Sequence, residues 1–232
     1  MAESDLSRFK DTLQSALRLV IVATLPAVAW LIVLSQPIVA LLFQHGRFGG
    51  GDTVQTAGAL MMYGLGVPGA AGVNVMVGAF YALDVPWLAV RASVASVGVY
   101  LVLNLLFVGP LAFLGLGHRG LALASSVAVT LNLLQLLFYV RRRVGRFGGR
   151  RIVDSSLRAG AASLLAGLGC WAALLPLGST WHRGPLAEAA VVLAGSALIM
   201  VLTWGLMRLF RVQELRTIES LARGAVRRIT GR

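Results

Sequence analysis

The chain has 232 residues, of which 57% are hydrophobic and 13% are charged, and its formal net charge is +12. Soluble domains carry about 25% charged residues, so this composition excludes an ordinary water-soluble globule. The hydrophobic share amounts to about 132 residues, enough for about six membrane spans of about 20 residues each.

The residues before the first apolar run, 1–18, predict an amphipathic segment on the cytoplasmic side of a membrane. Leu6, Phe9, Leu13 and Leu17 recur at spacings of three or four among acidic and basic residues. The apolar run that follows is too long for a signal-peptide core and has no A-x-A site behind it. We therefore expect this run to remain as an anchor.

Sustained apolar runs bounded by charges, Gly or Pro predict an all-α, polytopic membrane protein with six transmembrane helices. The predicted spans are, in chain order, 19–41, 58–81, 87–107, 120–140, 159–177 and 187–207. None of them shows the two-residue alternation of a β-barrel strand.

Glycine and proline mark the first two spans. Pro26 is expected to kink the first span. The second span contains Pro68 and five glycines: Gly64, Gly66, Gly69, Gly72 and Gly78. These glycines indicate either a helix that bends, which suits a transporter, or a helix that packs closely against its neighbours.

Ionisable residues inside the spans are few. Arg91 lies four residues inside the third span and Glu188 starts the sixth, while no Asp, Glu, Lys or His lies near the middle of a span. This pattern argues against a carboxylate-based proton pump and an intramembrane hydrolase, so we expect no enzyme activity, catalytic residue, metal site or cofactor. Arg91 either faces a cavity and contacts a phosphate group or extends its charge to the cytoplasmic interface.

Amides are the other polar groups of the spans. Asn74, Asn104, Asn132 and Gln135 either form hydrogen bonds between helices or line a substrate cavity. Asn104 with Ser125 is a further candidate, for coordinating a cation through neutral oxygens.

The distribution of basic residues predicts that both termini are cytoplasmic. Of the 21 Lys and Arg residues, 18 lie in the N-terminal segment, near the start of the third span, in the 141–158 loop and in the tail from Arg208. The three others are Arg47, Arg119 and Arg183.

In the tail, apolar residues at spacings of three or four predict a basic amphipathic helix on anionic phospholipids; they are Val212, Leu215, Ile218, Ala222, Ala225 and Ile229. A tail held by charge alone is the alternative.

Two classes of site are excluded by the sequence. No segment between the apolar runs is long enough to form a soluble nucleic-acid-binding face, despite the positive charge. The single cysteine, Cys170, excludes an internal disulfide framework and a thiolate metal cluster, and we expect it to be a small buried side chain.

Four stretches carry a resemblance to a known family: LPAVAWLIVLSQPIVALLFQHGRF at 25–48, AFYALDVP at 79–86, LNLLFVGPLAFLGLGHRGLALASS at 103–126 and LNLLQLLFYVRRR at 131–143. In this order they resemble the MurJ/MviN family of lipid II flippases, within the multidrug/oligosaccharidyl-lipid/polysaccharide exporter superfamily. The six spans resemble the C-terminal six helices of the family. Residues after 150 resemble it mainly in having two further helices.

The resemblance implies transport of the undecaprenyl-pyrophosphate-linked peptidoglycan precursor, lipid II, across the bacterial plasma membrane by alternating access. It divides the chain into the 1–18 segment, a four-helix lobe part at 19–140, the basic loop 141–158, a helix pair at 159–207 and the basic tail 208–232. The helix pair, with small Gly160, Gly167 and Gly169, is expected to border a groove for the lipid tail.

The resemblance also implies substrate-binding roles. Arg91 matches a position that is basic in relatives, whereas Asn74 stands where some relatives have Lys and Trp87 stands where the turn often carries a basic residue. Because the family's main cavity arginines come from a first lobe, we expect this chain to work with an N-terminal transporter half, in the same reading frame or as a separate chain. Export of another polyprenyl-linked saccharide, or a non-transporting scaffold for cell-wall enzymes, are the alternatives.

Overall fold

A computed structural model describes residues 3–110, 115, 117–145, 148–177, 184–212 and 214–215. Its six α-helices are α1 (Glu3–Phe43), α2 (Gly50–Ala82), α3 (Pro86–Val108), α4 (His118–Val144), α5 (Gly149–Leu174) and α6 (Pro185–Leu209). Each is long and apolar enough to cross a membrane. The described part of the chain has no β-strand, so the prediction of six spans in an all-α protein is confirmed.

Local sequence sets where several of these helices begin and end. The Asp52 carboxylate accepts a hydrogen bond from the backbone N–H of Gly49 at 2.9 Å, and so caps α2. Pro86 and Pro185 occupy the first turns of α3 and α6, where a missing N–H costs nothing. Gly145 ends α4 with a φ of +83°, a conformation that suits glycine.

Helix α2 ends in a Schellman turn within the AFYALDVP stretch. The backbone N–H of Val85 donates to the carbonyl of Phe80 at 3.1 Å, and that of Asp84 donates to the carbonyl of Tyr81 at 3.1 Å. Asp84 has a φ of +56°, as the position after the helix cap requires. This turn allows α3 to start immediately after α2.

Helix α1 lies at the centre of the bundle. It packs against α2 on one side and against α5 and α6 on the other. Helix α4 packs on α2, and α3 packs mainly on α4, whereas α5 and α6 pack on α1 and on each other. The bundle therefore consists of a three-helix group, α2 to α4, and a helix pair, α5 and α6, joined through α1.

The 1–18 segment is continuous with the first span and is not a separate interfacial helix. Helix α1 contains 41 residues, a length of about 60 Å, or twice the thickness of a bilayer core. Leu13 and Leu17 are buried against Phe80 and Leu136, and Leu6 and Phe9 pack on the same cluster. The apolar face that the sequence assigns to the membrane surface thus contacts protein instead.

Helix α1, the start of α5 and the segment after α6 meet at one end of the bundle. Arg18 on α1 pairs with Glu214, which follows α6, and Gly148 before α5 lies against Gln14. At the opposite end, the Arg119 guanidinium donates to the carbonyl of Val54 at 3.3 Å. The basic residues predict that the first end faces the cytoplasm. The tail positions Ile218, Ala222, Ala225 and Ile229 lie outside the described residues.

Candidate functional site

An apolar groove of about 510 Å³ lies between α1 and α5, a size typical of ligand sites. Its walls are Ala29, Ile32, Val33, Gln36 and Pro37 from α1, Met61 from α2, Ser163, Leu164, Gly167, Leu168, Trp171 and Leu174 from α5, Leu175 after it, and Val191 from α6. Hydrocarbon is therefore the chemistry that this groove accommodates best, with Gln36 and Ser163 as its polar side chains.

Small residues on α5 bring that helix close to α1. Ala159, Ala162, Ala166 and Cys170 recur at spacings of three or four and are fully buried. At Gly167 a β-carbon would lie 3.5 Å from the side chains of Ala29 and Val33, so the helices are in contact at that point. Leu164, Leu168 and Trp171 remain more than half exposed beside this contact and form one wall of the groove.

Hydrogen bonds join the helices around the groove. The Trp30 indole N–H on α1 donates to the hydroxyl of Ser196 on α6 at 2.7 Å. The Cys170 thiol, buried as expected, donates to the carbonyl of Gly195 at 3.7 Å. The resemblance implied a groove bordered by the last two helices; in the groove of the structure, α1 provides the wall opposite α5 and α6 contributes Val191.

The residues expected to contact the headgroup, Asn74 and Arg91, are both exposed and lie on consecutive helices near the turn at Asp84. The Arg91 guanidinium lies 5.1 Å from the centroid of the Trp87 ring, a cation–π distance that directs the charge toward the start of α3. Asn74 shares an exposed face of α2 with Tyr63 and Tyr81. Both side chains are accessible to a ligand.

Polar residues also line the contact between α3 and α4. The Asn132 amide donates to the Ser93 hydroxyl at 3.4 Å, which aligns these antiparallel helices. Counting seven residues along each helix from that pair places Ser125 on α4 opposite Tyr100 on α3. Tyr100 is about one helical turn from Asn104. Asn104 and Ser125 are therefore not directly opposed, although the Asn104 carbonyl oxygen is buried without a hydrogen-bond partner among the described residues.

The glycines of α2 divide into packed and open positions. A β-carbon at Gly66, Gly69 or Gly72 would lie within 3.1 Å of Ser126, Thr130 or Leu133 on α4, respectively. At Gly78 no atom lies within 4 Å of such a carbon. Close packing thus explains most of these glycines.

Two features escaped the sequence analysis. The α1 residues of the groove, such as Ala29 and Val33, look like any lipid-facing residues of a span, so hydropathy carries no signal for them. The convergence of basic residues from distant segments at one end of the bundle was also missed. In the described part of the chain, no three His, Cys, Asp or Glu side chains are grouped as metal ligands.

Comparison with known proteins identifies the family. A family model described as "Lipid II flippase MurJ" matches residues 1–191. The lipid II flippase MurJ of Burkholderia cenocepacia is 29% identical over 210 residues, which cover 88% of this chain and 39% of that protein. A probable lipid II flippase MurJ of Rhizobium meliloti is 35% identical over 170 residues, or 72% of this chain and 29% of the relative.

A third relative, the lipid II flippase MurJ of Thermosipho africanus, is 31% identical over 141 residues, or 60% of this chain and 28% of that protein. The chain thus spans well under half the length of these relatives. Because the family match covers most of its residues and all six helices can cross a membrane, the chain belongs to the lipid II flippase MurJ family of multi-pass inner-membrane transport proteins, which are not enzymes.

Proposed function

We propose that this chain forms the C-terminal portion of a flippase that moves lipid II from the inner to the outer leaflet by alternating access during cell-wall synthesis. The observation that carries the proposal is the apolar groove between α1 and α5 in a member of this family. A polyprenyl tail is hydrocarbon, and an apolar groove open to the bilayer binds the tail while it stays within the membrane interior.

The headgroup contacts assigned to this chain are Arg91 and Asn74. An arginine forms paired hydrogen bonds with phosphate oxygens, and the exposed guanidinium beside Trp87 is free to do so. Asn74 adds neutral donor and acceptor groups. One arginine balances little of a pyrophosphate's charge, so the proposal includes an N-terminal transporter half, in the same reading frame or as a separate chain, that supplies the remaining cations.

Two further contacts belong to the same proposal. Asn104, with Ser125 one turn away, binds a cation through the unpartnered Asn104 carbonyl oxygen. The basic tail from Arg208 contacts anionic phospholipids of the inner leaflet. The three-helix group and the α5–α6 pair are joined through α1. This arrangement is compatible with movement of one part of the bundle relative to the other.

The test is depletion of this protein together with any companion N-terminal half, in cells that lack another flippase. Accumulation of lipid II on the inner leaflet, with loss of lipid II exposed to an external probe, is the expected result. Unchanged exposure would refute the proposal. If another polyprenyl-linked saccharide accumulates instead, the cargo assignment is wrong and the transport assignment stands. Deletion of 216–232, which keeps the packed residues Val212, Glu214 and Leu215, provides a control, because a scaffold loses function and a flippase keeps most of it.

A further inference from the structure

Four arginines from three separate parts of the chain line a cavity of about 400 Å³ where α1, the start of α5 and the turn after α6 meet. Arg18 comes from α1, Arg151 and Arg158 from the start of α5, and Arg211 from the turn after α6. We propose that this cavity, the arginine pocket, binds the phosphate group of an anionic phospholipid. This pocket is a defined site for the phospholipid contact proposed above. The inference rests on that proposed contact and does not depend on transport of lipid II.

The turn after α6 places Arg211 in the pocket. The backbone N–H of Val212 donates to the carbonyl of Met207 at 3.0 Å, and that of Arg211 donates to the carbonyl of Arg208 at 3.1 Å. This Schellman turn requires a positive φ at Arg211, which is +54°. A positive φ is sterically unfavourable for arginine but not for glycine. The presence of an arginine at this position therefore indicates that its side chain has a role.

Apolar contacts hold the same turn against the bundle. Val212 and Leu215 are buried in a cluster with Val22 of α1 and Ala159 and Ala162 of α5. The segment after α6 is therefore packed onto the two helices that carry the other three arginines. The pocket is therefore part of the folded bundle.

The charges of the pocket are unbalanced. Glu214 pairs with Arg18, and Asp154 pairs with Arg158 at 3.0 Å. Arg151 and Arg211 have no acidic partner among the residues that the structure describes. Two positive charges in a confined space repel each other, and a phosphate group with charge-assisted hydrogen bonds to both removes that repulsion.

The surroundings of the pocket favour a phospholipid over a soluble phosphate. Val153 and Leu157 on α5 are 57% and 68% exposed, and they lie in the same two helical turns as the pocket residues Arg151, Asp154 and Arg158, on the neighbouring face of the helix. An acyl chain covers such apolar side chains, whereas a free phosphate ion leaves them exposed. The cytoplasmic leaflet, which this end is predicted to face, is the leaflet whose anionic lipids attract basic residues.

The experiment measures phospholipid binding to the full chain in detergent micelles by native mass spectrometry. Dioleoyl phosphatidylglycerol is titrated against dioleoyl phosphatidylcholine, and glycerol 3-phosphate is added as a soluble competitor. The test variant is Arg151→Gln with Arg211→Gly, because glycine at 211 removes a charge while it relaxes the turn. The control variant is Arg8→Gln with Arg143→Gln, which removes two exposed charges from outside the pocket.

Phosphatidylglycerol is expected to bind more tightly than phosphatidylcholine, and the test variant to weaken its binding by about tenfold or more. The control variant should change the affinity by less than about twofold. Asp154→Asn, which frees Arg158, should tighten binding. Equal losses in the test and control variants, no tightening by Asp154→Asn, or complete displacement by equimolar glycerol 3-phosphate would each overturn the proposal. Because this assay requires no transport, its outcome is independent of whether the chain flips lipid II.

Discussion

Gly66 on α2 lies directly against Ser126 on α4. A β-carbon at position 66 would come within 2.8 Å of the Ser126 hydroxyl oxygen and 3.0 Å of its α-carbon. The same hydroxyl donates to the backbone carbonyl of Met62 at 2.6 Å, so the two helices are joined by a hydrogen bond as well as by close packing. Interhelical contacts of this kind replace the hydrophobic effect inside a bilayer.

We predict that Gly66→Ala separates α2 from α4 and lowers the free energy of unfolding by about 1–3 kcal/mol, the range for an overpacked contact. The measurement is reversible unfolding in mixed micelles, followed by circular dichroism. The matched control is Gly78→Ala on the same helix, where a β-carbon meets no atom within 4 Å. This control should leave the stability unchanged or raise it slightly. Equal destabilisation by both substitutions would contradict the packing seen between α2 and α4.

The ion pair between Arg18 and Glu214 should contribute to stability through burial. The two side chains are only 16% and 6% exposed, and they join α1 to the segment after α6. Glu214→Gln leaves the Arg18 charge without its partner, and we expect a loss of about 3 kcal/mol in the free energy of unfolding. Adding Arg18→Gln should recover part of that loss, because the uncompensated charge is removed.

The exposed pair of Arg158 and Asp154 is the control for this double-mutant cycle. Its side chains are 50% and 58% exposed, so water screens their interaction. The coupling energy of this pair should be below about 1 kcal/mol. If the two pairs show the same coupling energy, burial of the Arg18–Glu214 pair has no energetic consequence.

The groove between α1 and α5 is tested by filling it. Leu168→Trp enlarges a side chain that lines the groove, so it should compete with a bound polyprenyl tail and slow lipid II transport several-fold. Leu193→Trp places the same side chain on α6 at a position that is 71% exposed and does not line the groove. Exposure of lipid II to an external probe is measured in cells that depend on the variant, after protein levels are matched. Equal transport activity of the two variants would show that the groove does not take part in transport.

Arg91 is tested by separating its charge from its geometry. Arg91→Ala should reduce transport by about tenfold or more if the guanidinium contacts a phosphate, since a charge-assisted hydrogen bond contributes about 1.5–3 kcal/mol. Arg91→Lys keeps the charge but lacks the planar pair of donors, so a partial loss is expected. Full activity of the Lys variant would show that the residue only extends its charge to the interface. Trp87→Phe, which retains a ring beside Arg91, serves as the conservative control.

Much of the fold is predictable from hydropathy because membrane insertion is decided segment by segment. The predicted span 159–177 extends past Leu174, where α5 ends, into a short 3-10 helix, whereas the other five predicted spans lie within observed α-helices. The AFYALDVP stretch forms the turn that ends α2. The 1–18 segment shows where this approach stops. Its apolar spacing is the same whether Leu13 and Leu17 contact lipid or protein, and only the position of α2 and α4 beside α1 determines that they contact protein.

The candidate site was predictable in part. Arg91 and Asn74 stay predictions, and the sequence singles them out because polar groups inside a span are costly and therefore conspicuous. The α1 wall of the groove was missed because Ala29 and Val33 are as apolar as residues that face lipid. The arginine pocket was missed because its arginines come from three distant segments of the chain, and each one alone resembles an ordinary topology signal.

The sequence by itself determined the fold class, the number of spans and the family, because these depend on the length, apolarity and order of local segments. The tertiary structure decided which of several equivalent residues are in contact. Gly66 and Gly78 have the same chemistry on the same helix, yet one touches α4 and the other touches nothing within 4 Å. Arg18 and Glu214 meet across 196 positions of the chain because α1 and the turn after α6 pack at one end of the bundle. Such contacts depend on the rotation and register of whole helices, which no local pattern encodes.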